Sequence, residues 1–237
     1  MNDRPGRQNY SSEDLREPGI QARVTPEEFF ALSQGKAFSP AILEAEDVPP
    51  LVYWPGFLPK AQADRLLTLS LDLPWQQQQI TIFGKQRPVP RLESYFGDST
   101  AYHYGYSNSV SWQAAPWPDF LADLRSQVEV VTGYAYQVGM GNLYRDGNDS
   151  NGYHADDEPE LGEDPAIASV SLGATRTFRL KRRKKGAKSW GIALHHGDLL
   201  LMQPGCQRNW IHTVPKTARP CGPRINWTFR PYVSLTR

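Results

Sequence analysis

The sequence predicts a mainly β protein built as a sandwich or jelly roll, and three observations carry that expectation. Seven short apolar or alternating segments follow one another from Tyr134 to the C-terminus. Gly173, Gly186, Gly197 and Gly205 punctuate them. Aromatic and β-branched runs outnumber helical patterns, and such side chains pack well on a pleated surface. Many short strands divided by turn signals suit two packed sheets.

The 237 residues fit one large domain or one domain with extensions, and 7 Trp, 11 Tyr and 9 Phe supply bulky core material. Residues 1–24 are polar, with Pro, Gly and Ser, and are expected to form a flexible tail. Residues 25–58 are Pro-rich and read as an irregular extension. A short helix is expected from Pro59 to about Leu71, with Leu66, Leu67 and Leu71 available for burial. Ile80-Thr81-Ile82-Phe83 running into Gly84-Lys85 reads as a hairpin. Pro118 suits a helix start, Leu121, Leu124, Val128 and Val131 recur at helical spacing, and Gly133 suits the stop. Strands are then expected at 134–144, 166–173, 176–183, 190–195, 198–203, 209–214 and 223–232.

The net charge of +1 hides segregation: eight basic residues and no acidic one between Arg176 and Lys188, six acidic and no basic between Asp156 and Asp164. Cys206 and Cys221 form no C-x-x-C, which argues against a disulfide scaffold or structural zinc. No apolar run reaches transmembrane length, and Met1-Asn2-Asp3-Arg4-Pro5 lacks a signal-peptide core. These features lead to an expectation of a soluble, intracellular monomer, cytoplasmic or nuclear, without a membrane partner.

His154-Ala155-Asp156 is an H-x-D pair. On a strand, residues two apart share a face, so one imidazole and one carboxylate can meet a common metal. The third ligand must come from His103, His195, His196 or His212. Two His and one carboxylate form the facial triad of non-haem iron oxygenases, which leaves positions open for cosubstrate and O2. H-x-D alone also arises by chance in loops. Arg224-Ile225-Asn226-Trp227-Thr228-Phe229-Arg230 alternates, so Arg224, Asn226, Thr228 and Arg230 share one face. Two inward arginines are costly unless paired with anions. Their α-carbons lie about 20 Å apart, and the side chains can converge on a small dicarboxylate. Asn142 and Tyr144, also two apart, can add hydrogen bonds. The rival reading is a solvated outer strand face.

Asn142-Leu143-Tyr144, His154-x-Asp156, His212 and Arg224-x-Asn226-x-x-x-Arg230, in this order, resemble the AlkB dioxygenase family. HADDEPEL (His154–Leu161) and IASVSLGATRTF (Ile167–Phe178) are similar to animal AlkB homologues that act on alkylated DNA and RNA. The resemblance runs from about Phe83 to Tyr232. It implies a double-stranded β-helix, a form of jelly roll, with N-terminal helices and a nucleotide-recognition hairpin region. Residues 25–237 would be one dioxygenase domain, with about 75–130 recognising substrate and 134–232 forming the catalytic core. It implies His154, Asp156 and His212 as catalytic iron(II) ligands. Asn142, Tyr144, Arg224, Asn226 and Arg230 would surround 2-oxoglutarate: Arg224 with Tyr144 at the distal carboxylate, Arg230 with Asn142 at the one beside the keto group. The implied activity is oxidative dealkylation of bases such as 1-methyladenine and 3-methylcytosine.

A reacting base must leave the helix or be single-stranded already. Tyr102-His103-Tyr104 resembles a segment that lines the base pocket in that family, which makes Tyr104 the choice for stacking opposite His154 and Tyr102 for base edge or phosphate. Glu158 would meet the cationic edge of an alkylated base. Lys184 and Lys185, in the basic turn Lys181–Lys185, would contact phosphate, and Phe83-Gly84-Lys85 resembles a hairpin that wedges an aromatic into the duplex in duplex-acting relatives, which assigns that wedge to Phe83. Each has a plainer counterpart: strand aromatics, a solvated acid, a solvated turn, a core Phe. Two rival functions are an oxygenase of the same fold acting on a protein side chain or metabolite, and a non-enzymatic reader of alkylated nucleic acid.

Overall fold

The computed structural model of the chain describes residues 22–23, 48–82, 84–106 and 110–233. In chain order its strands are β1 (Ala22–Arg23), β2 (Leu51–Trp54), β3 (Gln79–Ile82), β4 (Lys85–Pro88), β5 (Leu92–Gly97), β6 (His103–Tyr106), β7 (Val110–Gln113) and β8 (Ala115–Pro116). They continue with β9 (Val138–Tyr144), β10 (Asn151–His154), β11 (Ile167–Gly173), β12 (Arg176–Arg182), β13 (Ser189–Leu194), β14 (Leu199–Met202), β15 (Trp210–Val214) and β16 (Arg224–Arg230). The helices are α1 (Lys60–Leu71), α2 (Asp119–Thr132) and the single turn α3 (Cys206–Asn209).

Two sheets make the jelly roll. The larger runs β1-β2-β14-β11-β16-β9-β5-β8 and the smaller β10-β15-β12-β13, while β3–β4 and β6–β7 are separate ribbons. Period-two alternation divides β16 as its sequence requires. Ile225, Trp227 and Phe229 enter the core that also takes Leu66 of α1 and Leu121, Leu124 and Val128 of α2. Arg224, Asn226, Thr228 and Arg230 turn the other way, toward the smaller sheet. Neighbouring β9 has glycine opposite Trp227, because a Cβ at Gly141 would lie 2.6 Å from the indole. Between the sheets Tyr144, Ile167, Phe178, Leu180, Ile192, Leu200 and Trp210 form a second core.

The expected strands from 134 onward are all present, most with trimmed ends, while β13 starts one residue early at Ser189. Gly173, Gly186, Gly197 and Gly205 all have positive φ, as turn positions between strands require. Helix α2 begins after Pro118 and closes on left-handed Gly133. Two expectations fail. Leu71 is 40% exposed, because it sits about 140° around the helix from buried Leu66. Residues 51–54, read as irregular, form a fully buried strand beside β14. A four-residue apolar run between prolines has no alternation to announce it. The expected tail at 1–24 falls almost wholly outside the described residues. No helix among the described residues is long and apolar enough to cross a membrane.

Candidate active site

His154 ends β10, and His212 faces it from β15 as its cross-strand partner. Their rings are 4.3 Å apart, edge to face. The Asp156 carboxylate lies 3.6 Å from His154 Nε2 and 4.0 Å from His212 Nε2. One ligand atom from each of the three falls within 4.8 Å of the others. His154 and Asp156 do not share a strand face as the H-x-D spacing suggests: the strand stops at His154, and a loop delivers Asp156. That loop is held from α3. The Asp156 N–H donates to Gln207 Oε1 at 3.0 Å. Arg183 Nη2 donates both to Asp157 Oδ2 and to the Gln207 carbonyl.

The donor set fits a divalent metal. Asp156 Oδ2 and His212 Nδ1 are buried without a hydrogen-bond partner. His154 Nδ1 lies 2.9 Å from the Gly152 carbonyl; a proton there leaves the Nε2 lone pair toward the carboxylate. Burial, reinforced by His154 nearby, pushes His212 down to about 3, and burial also lowers His154. Burial alone would raise Asp156, but the Arg230 guanidinium beside it outweighs that, holds the carboxyl below its ordinary value and keeps it ionised. Two neutral imidazoles and one carboxylate suit iron(II) with open positions. The remaining histidines lie elsewhere: His103 is exposed, His195 meets Thr175, and His196 bonds the Gly173 N–H and Asp64.

A second buried polar group, built on two arginines, adjoins this cluster. In the β16–β9 register Arg224 sits beside Tyr144 and Asn226 beside Asn142. Arg224 Nη2 donates to Ser171 Oγ and Asn226 Oδ1, both at 2.9 Å. Its guanidinium lies 5.5 Å from the Tyr144 ring centroid. Arg230 Nη2 donates to Asp156 Oδ1 at 3.1 Å, and its guanidinium lies over the Tyr104 ring. In both arginines Nε and Nη1 are buried without an acceptor. Burial pushes Arg224 down to about 10. Around Arg230 the charges of Asp156 and its neighbours outweigh burial and hold it above its ordinary range. Buried guanidinium N–H groups without acceptors suit a small dicarboxylate.

Sequence reasoning missed several members. Arg91 is buried, donating from Nε to Asn142 Oδ1 and from Nη2 to Glu93 Oε1, both at 2.7 Å. Val-Pro-Arg-Leu has no alternation to mark it as inward. Arg176 is buried against the carbonyls of Asp146, Asp149 and Pro215. Its period-two spacing from Phe178 and Leu180 was a usable signal.

On the expected substrate side, Tyr104 is buried and its hydroxyl donates to Glu158 Oε1 at 2.7 Å. Glu158 Oε2 is buried without a partner. Burial first, then the Asp156 charge, push Glu158 up to about 7. Tyr102 stacks on Tyr232 with centroids 4.1 Å apart. Lys184 and Lys185 are exposed in the turn between β12 and β13. The β3–β4 ribbon forms as expected, but Phe83 lies outside the described residues.

A family model described as the 2OG-Fe(II) oxygenase superfamily matches residues 50–230, starting well before the motifs. The chain is 34% identical over 225 residues to alpha-ketoglutarate-dependent dioxygenase alkB homolog 3 of Mus musculus, covering 91% of this chain and 77% of that one. It is 37% identical over 182 residues to DNA oxidative demethylase ALKBH2 of Mus musculus, covering 72% and 75%. A solved structure of OsALKBH1 shares the fold, with a TM-score of 0.59 at 16% identity over 78% of this chain and 98% of that one. The chain therefore belongs to the 2OG-Fe(II) oxygenase superfamily, as an AlkB-type dioxygenase that uses iron(II), 2-oxoglutarate and dioxygen.

Proposed function

We propose that this enzyme removes alkyl groups from N-alkylated bases of DNA or RNA, of the 1-methyladenine and 3-methylcytosine type. One observation carries the reading. Beside the His154–Asp156–His212 cluster stands a half-buried acid, Glu158, held through one oxygen by Tyr104 while the other is buried without a hydrogen-bond partner. Alkylation at the pairing edge makes adenine and cytosine cationic, and an acid there suits that edge. Relatives at 34–37% identity, named a dioxygenase alkB homolog and a DNA oxidative demethylase, support the same substrate class.

In this reading His154, Asp156 and His212 hold iron. Arg224 with Tyr144 takes the distal carboxylate of 2-oxoglutarate, and Arg230 with Asn142 takes the one beside the keto group. Asn226 and Ser171 orient Arg224 through the hydrogen bonds already described. The bound metal and cosubstrate supply the oxidising chemistry at the alkyl carbon. The chain's work is positioning and exclusion of water. Tyr104 and His154 flank the base, Glu158 meets its polar edge, and Lys184 and Lys185 hold phosphate. Tyr102 is assigned the base edge or phosphate, and Phe83 the duplex wedge, from sequence alone. A hydroxylated N-methyl group is an N–CH2OH that releases formaldehyde without a general base. We take the enzyme to act as a monomer inside the cell.

The test is mass spectrometry of methylated oligonucleotides, single- and double-stranded, incubated with the enzyme, iron and 2-oxoglutarate. Loss of the methyl mass supports the reading. Succinate without methyl loss favours a protein or metabolite oxygenase, and no succinate at all favours a non-enzymatic reader.

A further inference from the structure

The outer face of the smaller sheet carries a feature the catalytic reading leaves unused. Strands β10, β12, β13 and β15 contain no Asp or Glu. Side chains alternate across a strand. With Phe178 and Leu180 buried between the sheets, Arg179 and Lys181 face out, and Arg179 is exposed. On β10, His154 turns in to the metal-ligand cluster and its neighbour Tyr153 turns out, 42% exposed.

Tyr153 is held rather than loose. Its hydroxyl lies 3.1 Å from Ser189 Oγ on β13, and Lys181 Nζ lies 4.2 Å from its ring centroid. The strand order β10-β15-β12-β13 puts Tyr153 and Ser189 on opposite edges of the sheet. The phenol therefore bridges from one edge of this sheet toward the other. A side chain making that reach lies along the sheet instead of standing off it. A flat aromatic on a cationic face without carboxylates has the two parts of a single-strand platform: a π-face for a base and cations for the backbone.

We propose that Tyr153, with Lys181 and Arg179, docks single-stranded nucleic acid and stacks a base flanking the one that reacts. This inference rests on the nucleic-acid reading above. Tyr153 and His154 are chain neighbours, so the platform lies on the reverse of the strand that carries an iron ligand, and a strand threading to the site passes close to it.

The experiment is fluorescence anisotropy of a labelled, unmethylated oligothymidylate with the full chain loaded with Mn(II) and 2-oxoglutarate. Tyr153→Leu should weaken binding about 5- to 150-fold, the range for losing one base–aromatic stack, with the salt slope unchanged. Tyr153→Phe should bind like the wild type, because the π-face remains. Lys181→Gln should flatten the slope by about one. Mn(II) affinity should be the same in all the variants. If Tyr153→Leu binds like the wild type, or if Tyr153→Phe loses as much as Tyr153→Leu, the stacking platform is overturned. If the wild type itself does not bind, the nucleic-acid reading falls, and the platform with it.

Discussion

Arg224→Met separates what a buried cation costs from what it does. Arg224 is 1% exposed, donates only through Nη2, and leaves Nε and Nη1 without acceptors. Burial brings it from the ordinary arginine range down to about 10, and a depression of that size corresponds to about 3 kcal/mol held against the charged form. Met keeps most of the length and removes the charge. It also removes two hydrogen bonds, at about 0.5–1.5 kcal/mol each, although Asn226 Oδ1 still accepts from Ser169 Oγ. These contributions oppose each other, so without cosubstrate the variant should stay within about 1–2 kcal/mol of wild-type stability. With 2-oxoglutarate the outcome differs. A carboxylate loses its charge-assisted partner inside the protein, at about 2–5 kcal/mol, or about 30- to 5,000-fold in Kd. The assay is thermal unfolding of the Mn(II)-loaded protein across a 2-oxoglutarate titration. The wild-type Tm should climb with ligand, while the variant Tm stays flat over the same range. A variant that climbs in step with the wild type would refute the assignment of Arg224 to a carboxylate. A variant destabilised by more than about 4 kcal/mol without ligand would instead make Arg224 a structural brace, outside the range of an ordinary substitution.

Asp156→Ala removes the anionic member of the metal cluster, and Mn(II) binding measured by calorimetry should be abolished along with turnover; wild-type affinity in this variant would reject the assignment. Gln207→Leu leaves the Asp156 N–H buried without its acceptor, a loss of about 1–3 kcal/mol. It should appear as a lower Tm together with weaker Mn(II) binding, and no change in either would show that the loop is held by other means. Lys184→Gln combined with Lys185→Gln should weaken oligonucleotide binding regardless of sequence and flatten its salt dependence by up to about two. An unaltered slope would make that turn an ordinary solvated one.

The inward face of β16 was the most legible part of the site. Strict alternation on β16 forces Arg224, Asn226 and Arg230 to share a face, and the packing of Trp227 and Phe229 against the helices fixes which face it is. Helix α2 was equally readable, since its spacing, Pro118 and Gly133 agree. The metal cluster was legible in its residues but not in its local geometry. H-x-D suggested one strand, whereas Asp156 stands beyond β10 and depends on Gln207, 51 residues away. Such a contact leaves no periodic trace. Arg91 was hidden for a related reason: its partners Asn142 and Glu93 become neighbours only through the β5–β9 pairing. The Tyr153–Ser189 contact spans a sheet whose strand order differs from chain order, so composition and spacing carry no sign of it.

The most direct test of the central claim is stoichiometry. Purified, iron-loaded enzyme is incubated with an oligonucleotide carrying a single 1-methyladenine or 3-methylcytosine, together with 2-oxoglutarate and oxygen. Formaldehyde, succinate and restored base are then counted together. The account predicts one formaldehyde and one succinate for each methyl group lost. Tyr104→Ala should reduce methyl loss more than it reduces succinate release in the absence of nucleic acid. Succinate formed while both methylated bases stay intact would contradict the account and place the substrate among proteins or metabolites.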